Sequence, residues 1–136
     1  MKHIFLDTNI VLDVLANRKP FSDSASELFE KAQREKVKLY ISSLSYNKIY
    51  YILNKQISHK ATIAILKDLE ELIETLDVSS KEIKKSLYSE FSDFEDAIQY
   101  YSALSNKKID VIITRNPKDF KKSELLVMTP EEALSF

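Results

Sequence analysis

Acidic and amide side chains occur at three places in this sequence where they could serve a common chemical purpose. They are Asp7 near the N-terminus, Asp93, Glu95 and Asp96 about two thirds along the chain, and Asn116 and Asp119 near the C-terminus. Hard oxygen ligands of this kind select Mg²⁺ or Mn²⁺. A cation held with open positions binds a phosphate oxygen and activates a water, which is the chemistry of phosphodiester hydrolysis.

Each of these places also has a purely structural explanation. Asp is a preferred helix N-cap, and Asp7 stands between an apolar run and a segment with helical spacing. Asp93 with the two acids after it is ordinary chemistry for a helix start, although three carboxylates at one helix end repel one another and a divalent cation would relieve that repulsion. Asn116 before Pro117 is a common turn opening.

The composition excludes several other classes of protein. The 136 residues have the length of one domain, and the formal net charge of −1 gives no overall positive field for nucleic acid. The chain has no Cys, which excludes disulfides, thiolate metal sites and a Cys nucleophile. It also has no Gly, which excludes the Walker-type phosphate loop and the dinucleotide-binding fingerprint.

The elements that would position the acids alternate between strands and helices. Strands are predicted at Ile4–Leu6, Lys38–Ile41, Glu74–Leu76, Asp110–Thr114 and Leu125–Met128. Helices are predicted from Ile10 to near Asn17, from Ser22 or Asp23 to Lys36, from a Ser42 or Ser43 cap through Leu53, at Ser58–Leu72, from Ser79 or Ser80 to Tyr88, at Asp93–Ser105, and from Thr129 onward. This alternation predicts an α/β domain over residues 1–136, with a parallel sheet flanked by helices on both faces and a helical hairpin inserted between strands.

Three short motifs resemble the PIN-domain family and stand in the family's order. They are Leu6-Asp7-Thr8-Asn9-Ile10, Asp93-Phe94-Glu95-Asp96-Ala97 and Ile113-Thr114-Arg115-Asn116-Pro117-Lys118-Asp119-Phe120. The similarity covers essentially the whole chain. It points to the bacterial branch that contains the toxin-like ribonucleases of type II toxin–antitoxin systems.

The resemblance implies a Rossmann-like PIN fold and a Mg²⁺- or Mn²⁺-dependent endoribonuclease that hydrolyses RNA phosphodiester bonds. Asp7 would be the central metal ligand and Asp96 the second, while Asn116 and Asp119 fall where the family places its last acid or polar residue. Thr8 or Asn9 would orient Asp7, and Thr114 would do the same from the neighbouring strand. Asp93 or Asp119 would supply a further carboxylate where the family's usual ligand is absent.

One position departs from the family's pattern. The family usually carries a Glu early in the helix after its second strand, and Lys48 stands at that place here. Two outcomes are open. Either another acid completes a weaker but working site, or Lys48 forms a permanent ion pair with the acids and the domain no longer cuts RNA.

The expected partners follow from the same resemblance. RNA contact needs local positive charge, which Arg115 and Lys118, with Lys121 and Lys122, would supply unless they are simply solvated surface residues. An antitoxin protein would cover the crevice, and a homodimer would bury faces rich in Tyr.

No apolar run approaches the length of a membrane span, and the chain enters its first strand directly, so we expect a cytoplasmic protein with no membrane contact. The rival hypothesis is a catalytically weakened PIN domain that acts as a protein-interaction module, with Lys48 at the place of the usual Glu. A phosphatase of the haloacid type is disfavoured, because it needs a second Asp where Asn9 stands.

Overall fold

The computed structural model describes residues 1–136 and contains five short strands that pair in parallel to form one sheet. The strands are β1 (Lys2–Leu6), β2 (Val37–Ser42), β3 (Glu74–Leu76), β4 (Val111–Ile113) and β5 (Leu126–Met128). Their spatial order is β3-β2-β1-β4-β5, so β1 is central and pairs with β2 on one side and β4 on the other. The strand order reverses between β1 and β4, and ligands of open α/β sheets bind at such a switch point, beyond the carboxyl ends of the strands.

Seven α-helices connect and cover the strands. They are α1 (Thr8–Leu15), α2 (Ser22–Gln33), α3 (Ser45–Leu53), α4 (His59–Leu72), α5 (Ser80–Leu87), α6 (Phe94–Leu104) and α7 (Pro130–Leu134), with a short 3₁₀ turn at Pro117–Phe120. Helices α3 and α4 both lie between β2 and β3, as predicted for the helical hairpin. The predicted α/β class and the parallel sheet are confirmed. None of the helices is both long enough and apolar enough to cross a bilayer.

The central strand is buried on both of its faces, which explains its unbroken apolar sequence. Ile4 and Leu6 point into a larger core that includes residues of α1, α2, α3 and α4. Phe5 points to the opposite face, where Tyr100 of α6 and Phe120 of the 3₁₀ turn complete a smaller core. Because both faces pack, the register of β1 is fixed, and Asp7 is held at the first position beyond the strand.

Most helix starts carry the predicted caps. Asp7 and Asp93 cap α1 and α6, and Ser58, Ser79 and Thr129 cap the three other helices for which a Ser or Thr cap or start was predicted: α4, α5 and α7.

Two predicted caps are wrong. Helix α2 begins at Ser22 without a side-chain cap. Helix α3 begins only at Ser45, because Ser42 is still in β2 and its hydroxyl accepts a hydrogen bond from the Leu44 amide at 3.2 Å within the turn that follows.

Candidate metal centre

Asp7 lies at the carboxyl end of β1 and is only 6% exposed. Its backbone amide donates to the carbonyl of Ile113 at 2.9 Å, which continues the pairing of β1 with β4 and brings Thr114 beside it. The Thr114 hydroxyl donates to Asp7 Oδ2 at 2.8 Å. Asp7 Oδ1 accepts from the Asn9 amide at 3.2 Å and from Gln99 Nε2 at 3.3 Å. The carboxylate is therefore both a helix cap and a group fixed in orientation from three sides.

Burial raises the pKa of Asp7, because a carboxylate loses hydration in the protein interior. Hydrogen bonds from Thr114, the Asn9 amide and Gln99 act in the opposite direction, as does the positive charge of Lys48. The site thus holds a desolvated carboxylate whose charged form is supported by a set of fixed donors.

Asp96 lies in the first turn of α6, where the N-cap Asp93 accepts a hydrogen bond from its amide at 2.9 Å. Burial together with repulsion from other acids raises the pKa of Asp96 to about 7. The repelling acids, in order of effect, are Asp93, Asp7, Asp119 and Glu95. The effect of Asp7 and Asp119 on this pKa indicates that both acids lie in the neighbourhood of Asp96, although they come from separate parts of the chain.

Gln99 is a site residue that the sequence analysis missed. It lies one turn after Asp96 on α6, is 2% exposed, and donates to Asp7. Its Oε1 accepts from the Thr8 amide at 2.8 Å and from the Thr8 hydroxyl at 3.1 Å. The Thr8 hydroxyl also contacts the Ser45 hydroxyl at 2.7 Å. Gln99 therefore links the first residues of α1 and α3 to α6, and its spacing of three from Asp96 is the signal that was available.

The residues predicted to support Asp7 contact it in different ways. Thr114 does so directly through its hydroxyl. Asn9 does so through its backbone amide. Thr8 acts only at one remove, because its hydroxyl and amide bind Gln99. The orienting roles of Asn9 and Thr8 therefore do not use the side-chain contacts that their residue types suggested.

Asn116 and Asp119 lie at the rim of the site, near the 3₁₀ turn. Both are exposed, and Asn116 Nδ2 donates to Asp119 Oδ1 at 3.2 Å. Asp119 is near enough to raise the pKa of Asp96. However, no three acidic, His or Cys side chains converge closely enough to form a ready metal site. The roles of Asn116 and Asp119 in catalysis stay predictions.

The donor set fits one hard divalent cation. Asp7 and Asp96 supply two carboxylates whose mutual repulsion a cation would remove. Mg²⁺ is commonly held by one or two carboxylates and keeps several waters, so two protein ligands at this end of the sheet are chemically sufficient to hold it.

Lys48 does not pair with Asp7 or Asp96. Its ammonium contacts Glu95 Oε1 at 2.7 Å, which joins α3 to the first turn of α6. Its charge still lowers the pKa of Asp7. The ion pair of Lys48 with Asp7 and Asp96, which was one of the two open outcomes, is therefore absent, because the ammonium pairs with Glu95 instead.

Arg115 makes an ion pair that the sequence did not reveal. Its Nε donates to Asp13 Oδ2 at 2.8 Å, and its Nη2 donates to Asp13 Oδ1 in a second, very short contact. Asp13 is completely buried, and the guanidinium also lies over the ring of Phe21, 3.9 Å from its centroid. Arg115 is thus largely engaged within the protein, whereas Lys118 is exposed. The RNA contacts of both residues stay predictions.

Comparison with known proteins identifies a family that matches most of the chain. Residues 3–118 match the family model of the PIN domain. No curated protein matches the sequence.

Solved structures share the fold at low sequence identity. A chain of DNA-bound VapBC from Salmonella typhimurium has a TM-score of 0.70 at 18% identity, covering 96% of this chain and 99% of that one. A chain of VapBC2 from Rickettsia felis, bound to a promoter DNA fragment, gives 0.66 at 19% identity, with coverages of 93% and 98%. VapC20 from Mycobacterium tuberculosis, described as a toxin that cleaves the sarcin-ricin loop, gives 0.65 at 14% identity, with coverages of 88% and 94%.

Proposed function

The chain belongs to the PIN-domain family, and from that premise we propose that it is a divalent-metal-dependent endoribonuclease, the toxin-like member of a toxin–antitoxin pair. The observation that carries the proposal is the meeting of Asp7 and Asp96 at the switch point of the sheet. Their elements are far apart in sequence, yet the charge of Asp7 raises the pKa of Asp96. Carboxylates brought together at such an electrostatic cost are typical of functional sites.

The residues divide the work of phosphodiester hydrolysis among them. A bound Mg²⁺ or Mn²⁺ supplies Lewis acidity toward a phosphate oxygen and a water of lowered pKa. Asp7 and Asp96 would hold the cation, and Asp119 at the rim would add negative charge to the site. Thr114 and Gln99 keep the Asp7 carboxylate in one orientation. The exposed Lys118 ammonium, beside Asp119 on the 3₁₀ turn, contacts a neighbouring phosphate of the RNA.

The proposed partners have separate support. The Salmonella and Rickettsia structures are VapBC assemblies, which supports an antitoxin that covers the crevice of this chain. The Tyr residues give the proposed homodimer less support. Tyr100 is buried in the core, and Tyr46 and Tyr50 hydrogen bond to Thr75 and His59 within the protein. Sedimentation of the purified chain tests the oligomeric state. We place the protein in the cytoplasm, where RNA and an antitoxin are both accessible.

Calorimetric titration with Mn²⁺ tests the site without knowledge of the substrate. We expect saturable binding to the wild type and loss of binding in Asp7→Asn and Asp96→Asn. The matched control is Asp68→Asn, an exposed acid on α4 outside the site. Cleavage of mixed single-stranded RNA in Mn²⁺, abolished by EDTA and by either site variant, completes the test. Absence of metal binding by the folded wild type contradicts the proposal.

The second candidate function is a protein-interaction module without nuclease activity. Two observations favour it, the presence of Lys48 at the family's Glu position and the lack of a third converging acid. In this case the wild type binds an antitoxin-like partner but neither binds Mn²⁺ at Asp7 nor cleaves RNA.

Replacement of Lys48 tests whether this residue acts on the metal site. Lys48→Glu removes a positive charge that acts on Asp7 and supplies a carboxylate, so we expect Mn²⁺ affinity to rise on the order of tenfold. Lys48→Gln removes the charge alone and should give a smaller increase. Calorimetry on both variants measures the effect. Unchanged or weaker binding in Lys48→Glu shows that Lys48 does not act on the metal site.

A further inference from the structure

A groove of about 690 Å³ lies between α3 and α6. Its inner wall includes Thr8 and Gln99, the two residues joined by the hydrogen bonds that hold Asp7 in place. A molecule in the groove would therefore contact Gln99, which donates a hydrogen bond to Asp7. The volume is within the range of about 300–1,000 Å³ that small-ligand sites occupy.

The outer part of the groove presents large apolar side chains to solvent. Phe94, Leu44 and Tyr51 line it and are 48%, 46% and 65% exposed. Phe94 is the first residue of α6, two residues before Asp96, and it stacks on no aromatic ring of the chain. Exposed apolar side chains gathered in one concave place mark a binding surface.

Polar and charged groups accompany these apolar side chains. Lys48 lies in the groove wall, and the Lys55 ammonium is 4.4 Å from the centroid of the Tyr51 ring. Asn47 also lines the groove, and its side-chain amide makes no hydrogen bond within the protein. The groove thus combines exposed ring faces with a free amide. The Lys48 ammonium in its wall is paired with Glu95, which also lines the groove, whereas the Lys55 ammonium beside Tyr51 makes no ion pair.

We propose that this groove binds an unpaired nucleobase of single-stranded RNA, next to the phosphate at Asp7 and Asp96, by stacking on Phe94 and Tyr51. Stacking on aromatic side chains is how proteins recognise unpaired bases, since every base has an apolar face. The Asn47 amide offers donors and an acceptor to the base edge, and the Lys55 ammonium faces a flanking phosphate. The proposal rests on the ribonuclease function and gives that function its preference for single-stranded substrate.

A protein occupant fits the groove less well. Twelve residues line it, whereas a stable protein interface uses about 20–30 residues on each side. A second copy of the chain or a peptide would need contacts well beyond the groove, but a base with its sugar and phosphate does not.

Binding measured without metal tests the proposal separately from catalysis. The probe is a fluorescently labelled, mixed-sequence 2′-O-methyl RNA octamer in EDTA, followed by anisotropy. We expect Phe94→Ala and Tyr51→Ala each to weaken binding on the order of tenfold, and Phe94→Trp to retain it. Tyr88→Ala is the matched control, because Tyr88 is 82% exposed and lies outside the groove.

An abasic octamer with the same backbone identifies what the aromatic residues bind. Binding of the abasic probe should be insensitive to Phe94→Ala. The proposal is overturned if Phe94→Ala behaves like Tyr88→Ala, if it weakens the abasic probe equally, or if the wild type binds neither probe. It is also overturned if Phe94→Ala dissociates a wild-type dimer in sedimentation while octamer binding is unchanged, because the occupant is then a second copy.

The two proposals fail in different ways. If the wild type binds the octamer through Phe94 but cleaves no RNA in Mn²⁺, the proposed base subsite stands and the proposed ribonuclease function fails. If the wild type cleaves RNA and Phe94→Ala binds the octamer as tightly as the wild type does, the proposed ribonuclease function stands and the proposed base subsite fails.

Discussion

Asp96 carries the clearest electrostatic penalty of any single residue in the site. Burial and the repulsion of four other acids raise its pKa to about 7, well above the ordinary value for Asp. A neutral Asp96 in the metal-free protein and a charged one in the metal-bound protein differ by one proton. Metal binding near neutral pH should therefore release that proton.

The stability of the metal-free protein should depend on the protonation of Asp96. Because its pKa in the folded state is raised, its favourable contribution is fully present below about pH 4 and is lost as the pH rises through 7. Asp96→Asn should thus raise the Tm at pH 8 in EDTA and change it little at pH 4. Thermal unfolding measures this, with Asp68→Asn as control. Equal effects of Asp96→Asn at both pH values contradict the expectation.

Thr114 offers a second test at the scale of one residue. Thr114→Val keeps the shape of the side chain but removes the hydroxyl that donates to Asp7. Loss of such an orienting hydrogen bond typically costs about 10–100-fold in metal affinity. We expect a decrease of this size for Mn²⁺ by calorimetry. Thr62→Val, at a buried Thr whose hydroxyl contacts only the Ser58 carbonyl, should leave Mn²⁺ affinity unchanged.

At the scale of elements, the Asp13–Arg115 pair connects α1 to the loop after β4. The loop carries Thr114, so the pair fixes the segment that holds Asp7. Arg18 adds a longer contact to the same carboxylate, at 3.8 Å. The pair therefore stabilises the position of the site rather than taking part in its chemistry.

Removal of the charge on Asp13 should destabilise the fold. Asp13→Asn leaves a partly buried guanidinium without its counter-charge, and loss of one partner of a buried pair costs about 3 kcal/mol, less here because Arg115 remains partly exposed. Urea unfolding measures the change. Asp23→Asn breaks the exposed pair with Lys19 and should cost less than about 1 kcal/mol. Equal costs for the two variants would show that Arg115 needs no counter-charge from Asp13.

The sequence predicted the elements better than it predicted their side-chain contacts. The β-branched run at Val111–Ile113 and the caps Asp7, Asp93 and Ser79 follow from local rules, since each depends on neighbouring residues alone. The ends of β2 and α3 were misplaced because Ser42 suits a helix cap and a strand end equally.

Long-range partners had no local signal. Lys48 pairs with Glu95 across 47 positions of sequence, and Arg115 reaches Asp13 across 102. Such contacts depend on which helix packs beside which, and that information appears only in the folded sheet. Gln99 is an intermediate case, because its spacing from Asp96 placed it on the same face of α6.

At the scale of the whole molecule, charge is nearly balanced, with a net charge of −1. The proposed attraction of RNA would therefore depend on a few local ammonium groups rather than on a general field. Lys118 lies at the carboxyl ends of the strands, on the side of the site. Lys36 directly precedes β2 and lies at the opposite ends of the strands, away from the site.

The salt dependence of RNA binding should be shallow. Each phosphate neutralised on single-stranded RNA contributes a slope of about −0.7 in the logarithm of the binding constant against that of salt concentration, so the two contacts proposed for Lys118 and Lys55 give about −1.4. Lys118→Gln should reduce the slope by about one contact, and Lys36→Gln should not change it. Anisotropy titrations of the octamer over a range of KCl concentrations measure both. A steep slope that Lys118→Gln leaves unchanged shows that RNA contacts some other surface.

The central position of β1 in the sheet also determines when the contacts around Asp7 form during synthesis of the chain. Strand β1 is synthesised before its neighbour β4, and Asp7 gains its contacts with Gln99 and Thr114 only about a hundred residues later. Pairing between the two ends of a chain is slow and late. A product interrupted before β4 contains Asp7 yet lacks Thr114 and the strand that pairs beside β1, so it cannot hold the Asp7 carboxylate in the orientation of the folded protein.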